Sequence, residues 1–305
     1  MSFRARVYDR ARRAQRRIVF PEGHDARIVE AAGRVGSLGL GQVQVLGDLA
    51  GDPRRAACAQ YLVTHRPDRF ATMAAAEQQL EHRLLFGATL VAMGSADVMV
   101  GGVQFPSADT IRAALWAVGP APGVETVSSA FYMVRDDTVL TFTDCAVVPE
   151  PTPTQLADIA VAAARDRRRI VGDEPVVAFL SYSTKGSAAG PLVRRVQQAV
   201  AALAARHPDF VFDGELQADA ALVADVAARK APGGRVGGRA NVLVFPDLDS
   251  GNIAYKLVQR LGGYGALGPV LQGLARPISD LSRGASVDDI VDTTAIAVLQ
   301  AEETG

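Results

Sequence analysis

Two hydrophobic rhythms alternate along this chain. Short continuous apolar runs, each closed by Gly, Pro or Asp, stand between longer stretches whose apolar residues recur every three or four positions. The short runs predict strands at R-I-V-F-P-E-G (17–23), Q-V-Q-V-L (42–46), V-M-V-G-G-V (98–103), 124–134, 139–142, V-V-A-F-L (176–180), the start of 211–222 and N-V-L-V-F (241–245). The longer stretches predict a basic amphipathic helix over 3–16, one from an Asp25 N-cap through Arg34, and others over 54–64, 71–92, 109–118, 151–164, 190–206, 252–261 and 287–299. Helices alternating with buried strands predict an α/β chain built on doubly wound sheet, with helices on both faces. Such sheets bind ligands outside the carboxyl ends of their strands, so the loops that follow strands carry the functional argument. Pro120–Gly123, a Pro/Gly cluster with no period, predicts a domain boundary.

Composition narrows the function. Of 305 residues, 49% are hydrophobic, enough for a sizeable core, and 32 basic residues against 33 acidic ones leave a net charge of -1. That balance argues against nucleic acid or an anionic membrane as partner, since both call for clustered excess Lys and Arg. Cys58 and Cys145 lie in no metal or redox spacing, which suits a reducing compartment. No apolar segment follows the basic opening and no run is long enough to span a bilayer, so a cytoplasmic protein is expected.

Several chemistries have no motif here. There is no G-x-x-x-x-G-K-[ST] loop, no H-E-x-x-H or paired C-x-x-C, and no G-x-S-x-G elbow. His24, His65, His82 and His207 form no triad-like spacing, and G-S-L-G-L-G (36–41) misses the dinucleotide fingerprint. Three polar loops remain. S-Y-S-T-K-G-S-A-A-G (181–190) is either an anion site of N–H groups and hydroxyls or a polar turn with Ser187 near a helix N-cap. In F-P-D-L-D-S-G-N-I-A-Y-K (245–256), Asp249, Ser250 and Asn252 suit helix caps and Gly251 permits a close approach. D-L-S-R-G-A-S-V-D-D-I-V (280–291) places Ser282, Arg283 and Gly284 in a turn before the last helix. Ser286 and Asp289 have capping-box spacing, so on pattern alone Asp289 reads first as a cap partner and second as a catalytic group.

These loops, taken with the opening R-I-V-F-P-E-G-H-D-A-R and with S-A-D-V-M-V-G-G-V, S-A-D-T-I-R-A-A-L, D-G-E-L-Q-A-D-A-A and K-A-P-G-G-R-V-G-G-R-A-N-V, resemble segments of phosphate acetyltransferases, in that family's order and over nearly the whole chain. The resemblance implies two α/β domains with an interdomain cleft, an isocitrate-dehydrogenase-like three-layer architecture. The first domain would span 1–121 plus 269–305 and the second 122–268. It implies a homodimer and reversible transfer of an acetyl group between coenzyme A and inorganic phosphate, by direct thiolate attack in a ternary complex. Coenzyme A is then a substrate; no bound cofactor and no metal is required.

By the same resemblance the phosphate-binding arginines fall at Arg66, in H-R-P-D-R-F, and at Arg112, in A-D-T-I-R. The catalytic group falls at Ser282, Arg283 and Asp289. The chain departs from the family pattern with Arg69-Phe70 for Lys-Gly, Val98 for Gly and Gly101 for Ser, changes expected near the acyl and phosphate region. Two alternatives accompany this reading: a non-catalytic acyl-CoA-sensing module, like the C-terminal region of some malic enzymes, and a phosphate acyltransferase for propionyl or butyryl groups.

Overall fold

A computed structural model describes residues 1–301; residues 302–305, the end of the expected first domain, lie outside the described residues. The chain opens α1 (Phe3–Ala14), β1 (Arg17–Phe20), α2 (Ala26–Ser37), β2 (Gln42–Val45), α3 (Arg55–His65), α4 (Met73–Gln79), α5 (Arg83–Ala92), β3 (Val98–Gly101) and α6 (Ser107–Ala117). It continues β4 (Ser128–Arg135), β5 (Thr138–Thr143), α7 (Pro153–Ile170), β6 (Val176–Leu180), α8 (Pro191–Ala204), β7 (Val211–Leu216), α9 (Ala218–Leu222), α10 (Ala224–Lys230) and β8 (Val242–Val244). It closes with α11 (Leu248–Gly262), β9 (Gly265–Gln272), β10 (Ile278–Asp280) and α12 (Val287–Gln300). Contacts divide it into two compact units, Met1–Gly123 with the chain from Gly268 onward, and Val124–Leu267.

In the first unit the strands run β2-β1-β3-β10-β9. β1 lies parallel to β2 and β3, and β3 parallel to β10, with Gly101 opposite Asp280. β9 closes the row antiparallel, Val270 opposite Ser279. Ile18, Val19, Phe20, Val98, Met99 and Val100 are all fully buried, which is why these strands read as unbroken apolar runs. α12 packs on β3 and β10 beside α1 and α2, whereas α5 and α6 pack together on β1, β3 and β10. The parallel pairing aligns the carboxyl ends of β1, β3 and β10, so that Pro21–Asp25, Gly102–Pro106 and Leu281–Ser286 emerge side by side.

In the second unit the order is β4-β5-β8-β6-β7, with β4–β5 antiparallel and the remaining pairs parallel. Alternate residues serve opposite faces. Val177, Phe179, Val242 and Val244 join Leu156, Ile159, Val196 and Leu203 of α7 and α8. Ala178, Leu180, Leu243 and Phe245 join Phe131 and Phe142, with Tyr255 and Val258 of α11 packed against them. α7 begins at a Thr152–Gln155 capping box with Pro153 behind it, and runs past the expected Ala164 to Ile170. The buried Arg167 near its end donates to the carbonyls of Val139 and Asn241 and pairs with Asp173.

Three expectations change. The helix read over 71–92 is two helices, because α4 buries only Ala76 while α5 buries every residue from Leu84 to Val91. One straight axis cannot serve a surface helix and a core helix, and the chain turns at 80–82. α11 starts earlier than 252, and its cap is Asp247, whose carboxylate accepts from the Ser250 N–H, rather than Asp249, Ser250 or Asn252. β9 and β10 were not legible as strands: G-A-L-G-P-V-L-Q carries two glycines and a proline, residues that weaken an isolated strand. It is held by its pairing with β10.

Candidate functional site

The three neighbouring strand ends of the first unit are tied together by buried charge. Glu22, just after β1, is fully buried and its carboxylate accepts the N–H groups of Gly102 (2.6 Å), Val103 (3.3 Å) and Gln104 (2.8 Å), which fixes the loop after β3. Asp25 caps α2 by accepting the Arg27 N–H. It also accepts two hydrogen bonds from one edge of the Arg27 guanidinium, 3.1 Å from Nε and 2.9 Å from Nη2. The Arg27 hydrogen bonds outweigh partial burial and pull the Asp25 carboxyl down to about 2. The same guanidinium donates to the carbonyls of Val103 (3.2 Å), Arg283 (2.8 Å) and Ala285 (3.2 Å), reaching all three loops.

Asp280, the last residue of β10, faces the Ser107 and Thr110 hydroxyls, and neither of its oxygens makes a well-aligned hydrogen bond. Burial pushes its carboxyl up to about 6, with the Glu22 charge adding to the effect. The opposite wall is Gly102, with φ of 114°, where a Cβ would lie 2.5 Å from Asp280 Oδ1. No side chain fits there.

Ser282, Arg283 and Gly284 follow as an exposed turn. Ser282 Oγ accepts the Gly284 N–H at 3.2 Å, and the Ser282 carbonyl accepts the Ala285 N–H at 2.9 Å. Ser286 then caps α12, and Asp289 completes a capping box with it. The first turns of α12 are secured from two sides, Asp288 by Arg34 of α2 and the buried Asp292 by Arg4 and Tyr8 of α1.

Of the two expected phosphate-binding arginines, Arg112 lies on α6 and Arg66 follows α3. Arg66 donates from Nε and Nη2 to the carbonyls of Trp116 (2.9 Å) and Val118 (2.9 Å), so half of its fork caps the end of that helix. Arg112 is exposed, pairs with Asp109 at 2.7 Å and lies 6.0 Å from the Trp116 ring centroid. Arg69 lies over the same ring at 5.9 Å, so three guanidinium groups gather around one indole or its carbonyl. α6 links this group to the turn, since its first turn carries Ser107 and Thr110, the neighbours of Asp280. His82 lies within electrostatic reach of Asp109, Arg112 and Glu22, and burial pushes its pKa down.

Two of the residues that depart from the family pattern are buried. Val98 is fully buried at the start of β3, opposite Ile18, at the end of the strand away from Gly102. Phe70 is also buried, edge-on to Trp116. Both are core residues, and neither offers a surface to an acyl chain.

In the second unit, loop 181–190 spends its polar groups on itself and on β7. The Ser183 hydroxyl and the Gly186 N–H both donate to Glu215, whose pKa they lower against the effect of burial, and Ser187 Oγ accepts the Thr184 N–H. Ser187 is not at the helix N-cap: α8 starts at Pro191, with Gly190 before it. Gly251 does permit a close approach, because a Cβ there would lie 2.2 Å from the Asp144 carbonyl oxygen. A separate hollow in the first unit, lined by Asp48, Leu49, Ala50, Arg55, Glu81 and Arg83, contains none of the expected site residues. Among the described residues no His, Cys, Asp and Glu group could hold a metal ion, and no helix is long and apolar enough to cross a membrane.

Ser282, Arg283 and Asp289 thus share one turn and helix start, and Arg66, at the end of α3, holds carbonyls at the end of α6, the helix that carries Arg112. Sequence reasoning missed Glu22, Arg27 and Asp280, which brace the strand ends. The available signal was P-E-G-H-D-A-R, charged residues packed directly behind a buried strand.

Comparison with known proteins agrees over the full length. The family described as phosphate acetyl/butaryl transferase matches residues 2–298. A phosphate acetyltransferase of Paracoccus denitrificans is 44% identical over an alignment of 313 positions, covering 97% of this chain and 98% of the relative. Among solved structures, the EutD phosphotransacetylase of Staphylococcus aureus superposes with a TM-score of 0.90 at 38% identity, covering 98% of this chain and 99% of the other. A phosphotransacetylase of Streptococcus pyogenes gives 0.89 at 39% identity, covering 99% of each. With a full-length family match and relatives at this level of identity, the chain belongs to the phosphate acetyl/butaryl transferase family.

Proposed function

We propose that this protein is a phosphate acetyltransferase, moving an acetyl group reversibly between coenzyme A and inorganic phosphate by direct attack in a ternary complex. The observation that carries this reading is the exposed Ser282-Arg283-Gly284 turn, set at the positive end of α12 just before the Ser286–Asp289 capping box. In this reading Arg66 and Arg112 bind phosphate, Ser282 and Arg283 stabilise the tetrahedral oxyanion, and Asp289 takes the thiol proton.

The proton transfer sets the energetic demand. An ordinary thiol at pKa about 8.5 and an ordinary aspartate at about 3.9 differ by roughly 6 kcal/mol of uphill transfer. Arg283 and the N–H groups at the start of α12 supply positive charge where a thiolate would form, which reduces that cost. Neither cysteine is poised as a nucleophile: Cys58 and Cys145 are buried, and burial pushes the Cys58 thiol up to about 12. An acyl-enzyme is therefore disfavoured.

The reading includes a cytoplasmic homodimer. The exposed stripe Ile253, Leu257 and Leu261 on α11 supports association, and light scattering at micromolar concentration tests it. The activity is tested by following thiol release from acetyl-, propionyl- and butyryl-CoA with and without phosphate. Phosphate-dependent release, fastest with acetyl-CoA, is expected. Binding without release supports a sensing module instead, and fastest release from butyryl-CoA supports a longer-chain acyltransferase.

A further inference from the structure

We infer that Arg27 is a positioning residue that sets the orientation of Ser282 and Asp289 through two peptide planes. The inference rests on the catalytic roles proposed above for those two side chains.

Arg27 Nη1 holds the carbonyl oxygens of Arg283 and Ala285. A trans peptide is planar, and its C=O and N–H point in opposite directions. Fixing the Arg283 carbonyl therefore aims the N–H of Gly284 away from Arg27, and that N–H donates to Ser282 Oγ at 3.2 Å. Fixing the Ala285 carbonyl aims the N–H of Ser286, which donates to Asp289 Oδ2 at 2.9 Å. One guanidinium thus controls the partner of each side chain without touching either.

Arg27 has no spare edge for a substrate. Nε and Nη2 face Asp25, Nη2 also reaches the Val103 carbonyl, and Nη1 serves the two turn carbonyls. The arrangement needs a planar fork with several fixed N–H directions. A lysine ammonium keeps the charge but cannot span Asp25 and three carbonyls on separate loops. Asp25 and Glu22 supply the rigid base: one clamps the fork, and the other holds the Val103 loop. Misplacement of reacting groups by about 1 Å costs on the order of 100-fold in rate, so a residue of this kind acts on turnover more than on binding.

The test compares Arg27→Gln and Arg27→Lys with wild type, using Arg34→Gln as a control for loss of a surface arginine that pairs with α12. Arg27→Gln is expected to lower kcat about 100-fold while the KM values for phosphate and acetyl-CoA change less than about threefold. Arg27→Lys recovers only part of the loss, and Arg34→Gln keeps wild-type kcat. In an Asp289→Asn background Arg27→Gln should add less than its full loss, because one of the two groups it orients is already disabled. Amide hydrogen exchange across 282–289 is expected to accelerate in Arg27→Gln. Full recovery with lysine, a kcat loss that multiplies with Asp289→Asn, or unchanged kcat and exchange each overturn the proposal. If wild type moves no acyl group at all, the functional reading fails. Exchange then decides the Arg27 proposal: unchanged protection across 282–289 overturns it, and faster exchange retains the peptide-plane clamp.

Discussion

Ser286 and Asp289 hold each other at the start of α12: Ser286 Oγ accepts the Asp289 N–H at 3.2 Å, and Asp289 Oδ2 accepts the Ser286 N–H at 2.9 Å and its hydroxyl at 2.7 Å. The capping partnership uses one carboxylate oxygen, and Oδ1 is not engaged by it. A cap alone predicts that Asp289→Asn costs at most about 1 kcal/mol of stability with turnover intact. Service as the base predicts a loss of kcat of roughly 100- to 10,000-fold with the fold preserved. We expect the second outcome, with partial recovery as pH rises toward the thiol pKa, where solution supplies thiolate. Ser286→Ala should cost about 1 kcal/mol and lower kcat far less. Steady-state kinetics across pH with thermal melts checks both.

Arg112→Ala should raise the KM for phosphate by roughly 10- to 100-fold, the scale of one lost charge-assisted bond. Arg112→Lys should recover part of it. The chain has one tryptophan, and Trp116 carries Arg69 and Arg112 over its ring, so phosphate titration of intrinsic fluorescence reports the same site without turnover. Equal phosphate affinity in all three proteins removes Arg112 from the site.

The buried Asp280, held near pKa 6, makes a signed prediction about stability. Between about pH 4 and 6 the folded protein keeps this proton while the unfolded chain, with an ordinary aspartate pKa of about 3.9, has lost it. Stability from this group is therefore present at low pH and falls as pH rises through 6. A shift of this size corresponds to roughly 3 kcal/mol. Asp280→Asn should remove the fall, so the variant melts higher than wild type above pH 6 and the difference shrinks toward pH 4. Calorimetric melts at matched pH values measure it, and a variant that melts lower at pH 8 contradicts the assignment.

Gly251→Ala should be costly although it sits in a helix, where alanine ordinarily stabilises. The added methyl would meet the Asp144 carbonyl at 2.2 Å and Cys145 Sγ at 3.2 Å. Both belong to a turn that the Asp144 carboxylate organises through the N–H groups of Ser129, Ala146 and Val148. Overpacking against backbone predicts a loss of about 1–3 kcal/mol, read from denaturant midpoints.

The sequence alone determined the α/β alternation, most strand positions, the Asp25 and Ser286 caps and the turn at Ser282-Arg283. Each of these is a local property: continuous apolar runs bury on both faces, and short polar side chains reach backbone N–H groups two or three residues away. Tertiary structure decided what local pattern cannot encode. β9 exists because β10 pairs with it, despite Gly268 and Pro269. The 71–92 segment breaks because only its second half enters the core. Val98 and Phe70 are core residues because burial assigns their side chains to packing. Glu22, Arg27 and Asp280 became legible only when parallel pairing set the ends of β1, β3 and β10 side by side, for a guanidinium reaching carbonyls 256 and 258 residues away leaves no periodic trace in sequence.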